Sequence, residues 1–137
     1  MKFILLGALL LLLVAASVDL TGFTLYPLEA SSQKTSINVA KNEKFALKIP
    51  SNPTTGFSWV LANGDELKSS NVIALLDANV GGEYESNPHR AGVVGVGGNS
   101  FFKFQGANSG VTTIQLDYKR PWETTSINHL SVDVTVA

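Results

Sequence analysis

The 137-residue sequence has no cysteine. That excludes a disulfide framework, a thiolate metal site, a cysteine-held iron–sulfur cluster and a cysteine nucleophile. Histidine is scarce, at positions 89 and 129 only, too few for a histidine metal cluster. With no Gly-x-Ser-x-Gly turn either, a hydrolytic nucleophile–histidine–acid set is not expected. Charge of one sign is also missing. Ten basic against eleven acidic side chains leave a net charge of −1, without the basic footprint by which nucleic-acid binders neutralise phosphates. The sequence therefore reads as no enzyme, with no metal, no cofactor and no nucleic-acid partner. The one Asn-x-Thr triplet, Asn52-Pro53-Thr54, is disqualified as a glycosylation acceptor by its proline.

Long apolar runs are confined to the amino terminus. Lys2 is followed by an apolar stretch of about 16 residues, short of the ~20 a spanning helix needs, and then by the small residues Ala15-Ala16-Ser17. This order of charge, apolar segment and small-residue exit is that of a secretory signal peptide over residues 1–17. It implies the secretory pathway, with an extracellular or lysosome-like destination and no membrane association once the leader is removed. Cleavage near Ala16 or Ser17 leaves about 120 residues and, without Lys2, a net charge of −2. A chain of that size can sustain one core without disulfides, and a monomer is expected.

Period two dominates what remains. Phe45, Leu47 and Ile49 alternate with Ala46 and Lys48; Ile114, Leu116 and Tyr118 with Gln115, Asp117 and Lys119; Leu130, Val132, Val134 and Val136 with Ser131, Asp133 and Thr135. Each reads as a strand with one buried face. The pattern predicts strands over Thr35–Val39, Lys44–Ile49, Phe57–Leu61, Val72–Leu76, Ser100–Gln105, Thr112–Lys119 and Ile127–Val136, with at most one helical turn, within Asp65–Leu76. Trp59, in phase with Phe57 and Leu61, belongs to the core. About seven short alternating strands indicate an all-β, immunoglobulin-like antiparallel β-sandwich over residues 35–137, a Greek-key barrel being the competitor. Residues 18–34 read as a lead-in, partly ordered by Phe23, Leu25 and Tyr26.

Strand parity then carries a functional expectation. In an up-and-down order, connections 2–3, 4–5 and 6–7 fall at the same end, and they contain the three unusual segments: Asn52-Pro53-Thr54-Thr55-Gly56-Phe57, Gly95-Val96-Gly97-Gly98 and Arg120-Pro121-Trp122. Loops gathered on a rigid scaffold are where binding concentrates. The first is stiffened by Pro53 and two β-branched threonines, and Gly56 permits a turn back; uncharged and preorganised, it can enter a cleft at low entropic and desolvation cost. A plain tight turn remains the alternative. The second lacks the Lys-Ser/Thr and following helix of a phosphate-binding loop. Its main chain can pair with another polypeptide or simply form a flexible connection. The third offers Arg and Trp, residue types enriched at interface hot spots, unless the indole folds back on its own scaffold.

Taken in order, the block from Pro50 to Trp59 (Pro-Ser-Asn-Pro-Thr-Thr-Gly-Phe-Ser-Trp), then Gly95 to Gly98, then Tyr118-Lys119-Arg120-Pro121-Trp122 resemble the three signatures of the chagasin family of cysteine-peptidase inhibitors. The resemblance covers roughly Thr35 to Val136. It implies an immunoglobulin-like sandwich that inhibits papain-like, cathepsin-type cysteine peptidases reversibly and non-covalently by laying three loops across the cleft. Asn52 to Phe57 would be the central wedge, with Thr54 and Thr55 nearest the catalytic cysteine. Gly95, Val96, Gly97 and Gly98 would run along one wall through their backbone, and Arg120, Pro121 and Trp122 would grip the other. The leader is a departure from many family members, and Gly81 to Val94 follows no family motif. A secreted adhesion or carbohydrate-binding sandwich using the same edge is the alternative.

Overall fold

The computed structural model describes residues 18–77, 79–89, 92 and 96–137. The expected leader and Gly95 of the second loop lie outside the described residues. Alternating segments become β1 (Thr24–Pro27), β2 (Gln33–Val39), β3 (Lys44–Ser51), β4 (Ser58–Leu61), β5 (Ile73–Leu75), β6 (Glu83–Ser86), β7 (Gly98–Gly106), β8 (Gly110–Lys119) and β9 (Asn128–Val136). A short helix α1 (Gly64–Lys68) follows β4. One sheet runs β1–β3–β7–β5, with β6 also paired to β7; the other runs β2–β9–β8–β4.

The inward phase of each strand fills the space between the sheets. Phe45, Leu47 and Ile49 of β3 and Phe102 and Phe104 of β7 face Trp59, Ile114, Leu116, Val132 and Val134 of the other sheet, all fully buried. Burying each such side chain is worth about 1.5–3 kcal/mol. Phe45 and Phe104 add a stacked ring pair at 5.5 Å. This is the expected all-β sandwich.

Two of the nine strands among the described residues, β1 and β6, were not among those expected. Both are four residues long, mostly exposed, and without period-two burial; they are held by main-chain pairing to β3 and β7, which side-chain patterning does not report. The lead-in is thus part of the fold, and Gly81 to Val94 contains a strand. Two edge pairings, β1 with β3 and β2 with β9, are parallel, because in each pair the two strands start from the same end of the sandwich. The helical turn falls at Gly64–Lys68, where Leu67 is buried.

The parity argument survives the extra strand. Both β5 and β6 run antiparallel to β7, so they point the same way and together occupy one position in the alternation. The connections β3–β4, β6–β7 and β8–β9 therefore meet at one end.

The outer face of the first sheet is not open. Ala46 and Phe101 point outward in the ladder yet are buried, Phe101 to 4% exposure. Residues 18–23 cross this face: the Val18 N–H reaches Glu85 Oε1 on β6 at one edge, and the chain enters β1 at the other. Midway, the Phe23 ring lies under the ammonium groups of Lys44 and Lys103, at 5.9 and 5.4 Å from its centroid. Phe23→Ala is expected to lower stability by about 1–2 kcal/mol, the loss of a half-buried aromatic with two cation–π contacts, to the exposed Lys44 and the largely buried Lys103. Urea denaturation would measure it, and no change in midpoint would mean the strap contributes nothing.

Candidate functional site

The first loop is a small self-bonded turn. Pro53–Thr55 form one 3-10 turn, closed by the Thr55 N–H to Asn52 O at 3.2 Å and the Gly56 N–H to Pro53 O at 2.9 Å. Thr55 Oγ1 also donates to Asn52 O at 2.8 Å, and Thr54 Oγ1 to Asn52 Oδ1. The hydroxyls are thus spent inside the turn, while Pro53, Thr54 and Thr55 are exposed at its tip. Gly56 closes it at φ +86°, in the left-handed region, and a Cβ there would lie 3.1 Å from Trp122 Cη2. A side chain at 56 would strain the backbone and displace the indole.

A column of flat groups ties this turn to the core. The Arg120 guanidinium sits 4.3 Å above the Phe57 ring, Phe57 stacks on Tyr118 at 5.5 Å, and Tyr118 lies 4.8 Å from Trp59. The Trp59 Nε1–H donates to Pro50 O at 3.0 Å, and Tyr118 Oη accepts the Asn52 N–H at 3.3 Å. Arg120 Nε donates to Thr55 O at 3.4 Å, and Arg120 pairs with Glu123 at 3.7 Å. Of the residues singled out from the sequence, Phe57 and Arg120 are therefore occupied within the protein, bracing the wedge from beneath and beside. Tyr118 was quoted in the third motif but given no role. Its place at the centre of the column follows from standing opposite Trp59 in the β4–β8 ladder.

Arg120→Lys should weaken the site more than the fold. A lysine keeps the charge but loses the planar stack and the Nε fork, so binding of any partner to the wedge should fall by about 1 kcal/mol, roughly fivefold. Titration calorimetry beside a melting curve separates the two effects, and equal binding by both proteins would rule out the brace.

The second loop stands against the first. Asn87 at the end of β6 donates its N–H to Gly97 O at 3.0 Å and its Nδ2–H to Val96 O at 3.5 Å. Gly98 is already in β7, buried, where an added Cβ would collide with Glu85 O. Its glycine serves the close approach of β6 to β7, so its backbone lies in the ladder. Between the loops a groove of about 330 Å³ is lined by Ala30, Ser51, Asn52, Asn87, Gly97, Gly98, Tyr118 and Asn128. Ser51, 7% exposed, has its Oγ buried there without a hydrogen-bond partner.

The third loop supplies the apolar projection. Trp122 is 73% exposed, and Ile127 farther along the loop is 58% exposed. The indole is not folded into the sandwich end; it stands beside Gly56 at the rim. Pro121 is exposed next to it. The structure thus gathers Asn52–Gly56, Val96–Gly97 and Arg120–Trp122 at one end, with a stiff uncharged turn beside a free aromatic.

Comparison with known proteins matches this arrangement. The family model for chagasin family peptidase inhibitors, I42, matches residues 38–136. Amoebiasin-1 of Entamoeba histolytica is 35% identical over 95 residues, which cover 69% of this chain and 82% of that protein. Chagasin of Trypanosoma cruzi is 30% identical over 100 residues, covering 73% and 84%. The crystal structure of a cysteine protease inhibitor from Entamoeba histolytica superposes with a TM-score of 0.62 over 84% of this chain and 97% of that one, at 22% identity, a likeness of fold. With the matched region spanning β3 to β9 and the end of β2, the chain belongs to the chagasin family of peptidase inhibitors and is not an enzyme.

Proposed function

We propose that this family member inhibits papain-like cysteine peptidases by standing the Asn52–Phe57 turn in the active-site cleft, with the Val96–Gly97 segment and Trp122 against its two walls. The observation that carries the reading is the turn itself: uncharged, internally hydrogen-bonded and braced by the Arg120–Phe57–Tyr118 column. A turn already closed loses little entropy on docking. Its compact 3-10 form presents no extended peptide bond to the catalytic thiolate. None of the three loops offers an electrophile or a cysteine, so the blockade is steric and reversible. Gly98 and Phe57 act from behind the contact surface, while Pro53, Thr54, Thr55, Pro121 and Trp122 form it. The glycine main chain of the second loop, Gly95 included, is read as the strand-like contact to one wall.

The leader-like residues 1–17 support a secretory setting, with peptidases of the extracellular space or lysosome-like vesicles as targets. The test titrates the purified protein against papain and a lysosomal cathepsin. Inhibition that is relieved on dilution is expected, together with undiminished binding to a peptidase whose catalytic cysteine is replaced by alanine. No inhibition at micromolar protein would reject the reading, and dependence of binding on the peptidase's thiol would reject the steric mechanism.

A further inference from the structure

We infer that the precursor is cut between Ser17 and Val18, and that the α-ammonium group so created is bound by Glu85. The inference rests on reading residues 1–17 as a leader. Two bonds satisfy the small-residue requirement for cleavage: after Ala16, with Val14 two positions before it, and after Ser17, with Ala15 two positions before it. Sequence alone does not choose between them. The structure does, because the Val18 nitrogen lies 3.2 Å from Glu85 Oε1, in a partly buried contact between residues 67 positions apart.

An amide N–H at that point gives the carboxylate one neutral donor. Cleavage after Ser17 turns the same nitrogen into a cation without moving it, and the bond becomes charge-assisted, roughly twice as strong as a neutral one. Cleavage after Ala16 would put the charge one residue upstream and leave Glu85 with the neutral amide. The charges around the pair leave Glu85 available. Glu83, the next outward residue on β6, is engaged by Lys103 Nζ of β7 at 2.9 Å. Asp19 is turned back to the Thr21 N–H at 3.0 Å. Lys48 of β3 lies beyond Phe101, in register with it.

The pairing has a structural role. Glu85 is one residue before Ser86, which pairs with Gly98, and two before Asn87, which holds Val96 and Gly97. Fixing the new terminus on Glu85 fastens both ends of the strap across the outer sheet and secures the short strand from which the second loop springs. Processing would thus complete the site's scaffold as well as release the protein.

The test expresses the full-length chain in an exporting host and measures the intact mass of the secreted product, then follows the α-amine by pH-dependent amine labelling in wild type and Glu85→Gln. Expected are a chain beginning at Val18 and an α-amine titrating above the ordinary range of about 7.7–8.0, returning to it in Glu85→Gln. Retention of Met1 in the mature product would overturn the leader reading itself. A product beginning at any other residue after Met1 overturns both the cleavage assignment and the pairing while leaving the leader reading standing. A Val18 amine titrating in the ordinary range in wild type overturns the pairing.

Discussion

Trp122→Ala is expected to raise the inhibition constant against a papain-like peptidase by about 30-fold or more, equivalent to about 2 kcal/mol, while leaving the melting temperature nearly unchanged. The asymmetry follows from where the side chain sits. At 73% exposure the indole has little to lose from the free protein when removed. An aromatic of that size held in water beside a stiff turn gains most of its burial only when a partner covers it. Its position is also defined, because Gly56 leaves room for the ring edge at the rim of the wedge. Trp122→Phe should recover part of the affinity. Glu123→Ala, at the exposed rim in a weak 3.7 Å pair with Arg120, should cost a few tenths of a kcal/mol. An unchanged inhibition constant for Trp122→Ala would place the peptidase elsewhere on the molecule.

The largest effect on stability is expected at the other tryptophan. Trp59 is completely buried, donates Nε1–H to Pro50 O, and ends the column that runs through Tyr118 and Phe57 to Arg120. Trp59→Ala removes the core's largest side chain and leaves the Pro50 carbonyl without that donor. Both costs fall in the range of about 3–5 kcal/mol for such truncations. In a domain of this size that lowers the melting temperature by roughly 10–20 °C. Affinity should fall as well, since Pro50 begins the segment that climbs into the wedge. Trp59→Phe, which keeps most of the volume and loses the hydrogen bond, should cost about 1–2 kcal/mol. Denaturant titration of the three proteins decides the matter; a loss below about 1 kcal/mol for Trp59→Ala would mean that the core closes over the gap.

The two tryptophans also show what could be read from the chain. Trp59 declared itself by standing in phase with Phe57 and Leu61, and it is core. The meeting of three distant loops followed from strand parity; β6 did not disturb it because it continues in the direction of β5 along the same edge of β7. Side-chain periodicity cannot report elements held by backbone alone, so β1 and β6 were invisible. It also misassigns residues whose outward face is covered by something unforeseen. Phe101 and Ala46 look like solvent-facing positions until residues 18–23 lie across them. Arg120 presented the composition of a contact residue, and the structure adds a bracing role beside it. Its partners, Thr55 O and the Phe57 ring, are 63 to 65 positions away in sequence, and no local pattern encodes such a pair.

The parallel ladder between β2 and β9 joins residues 97 positions apart, from Gln33 with Leu130 to Val39 with Val136. Contacts of such span make for slow folding, since the loop must close before the pairing rewards it. The second sheet is therefore incomplete until the last strand has left the ribosome. A chain whose first long strand waits for its last keeps that strand without a sheet partner through most of its synthesis.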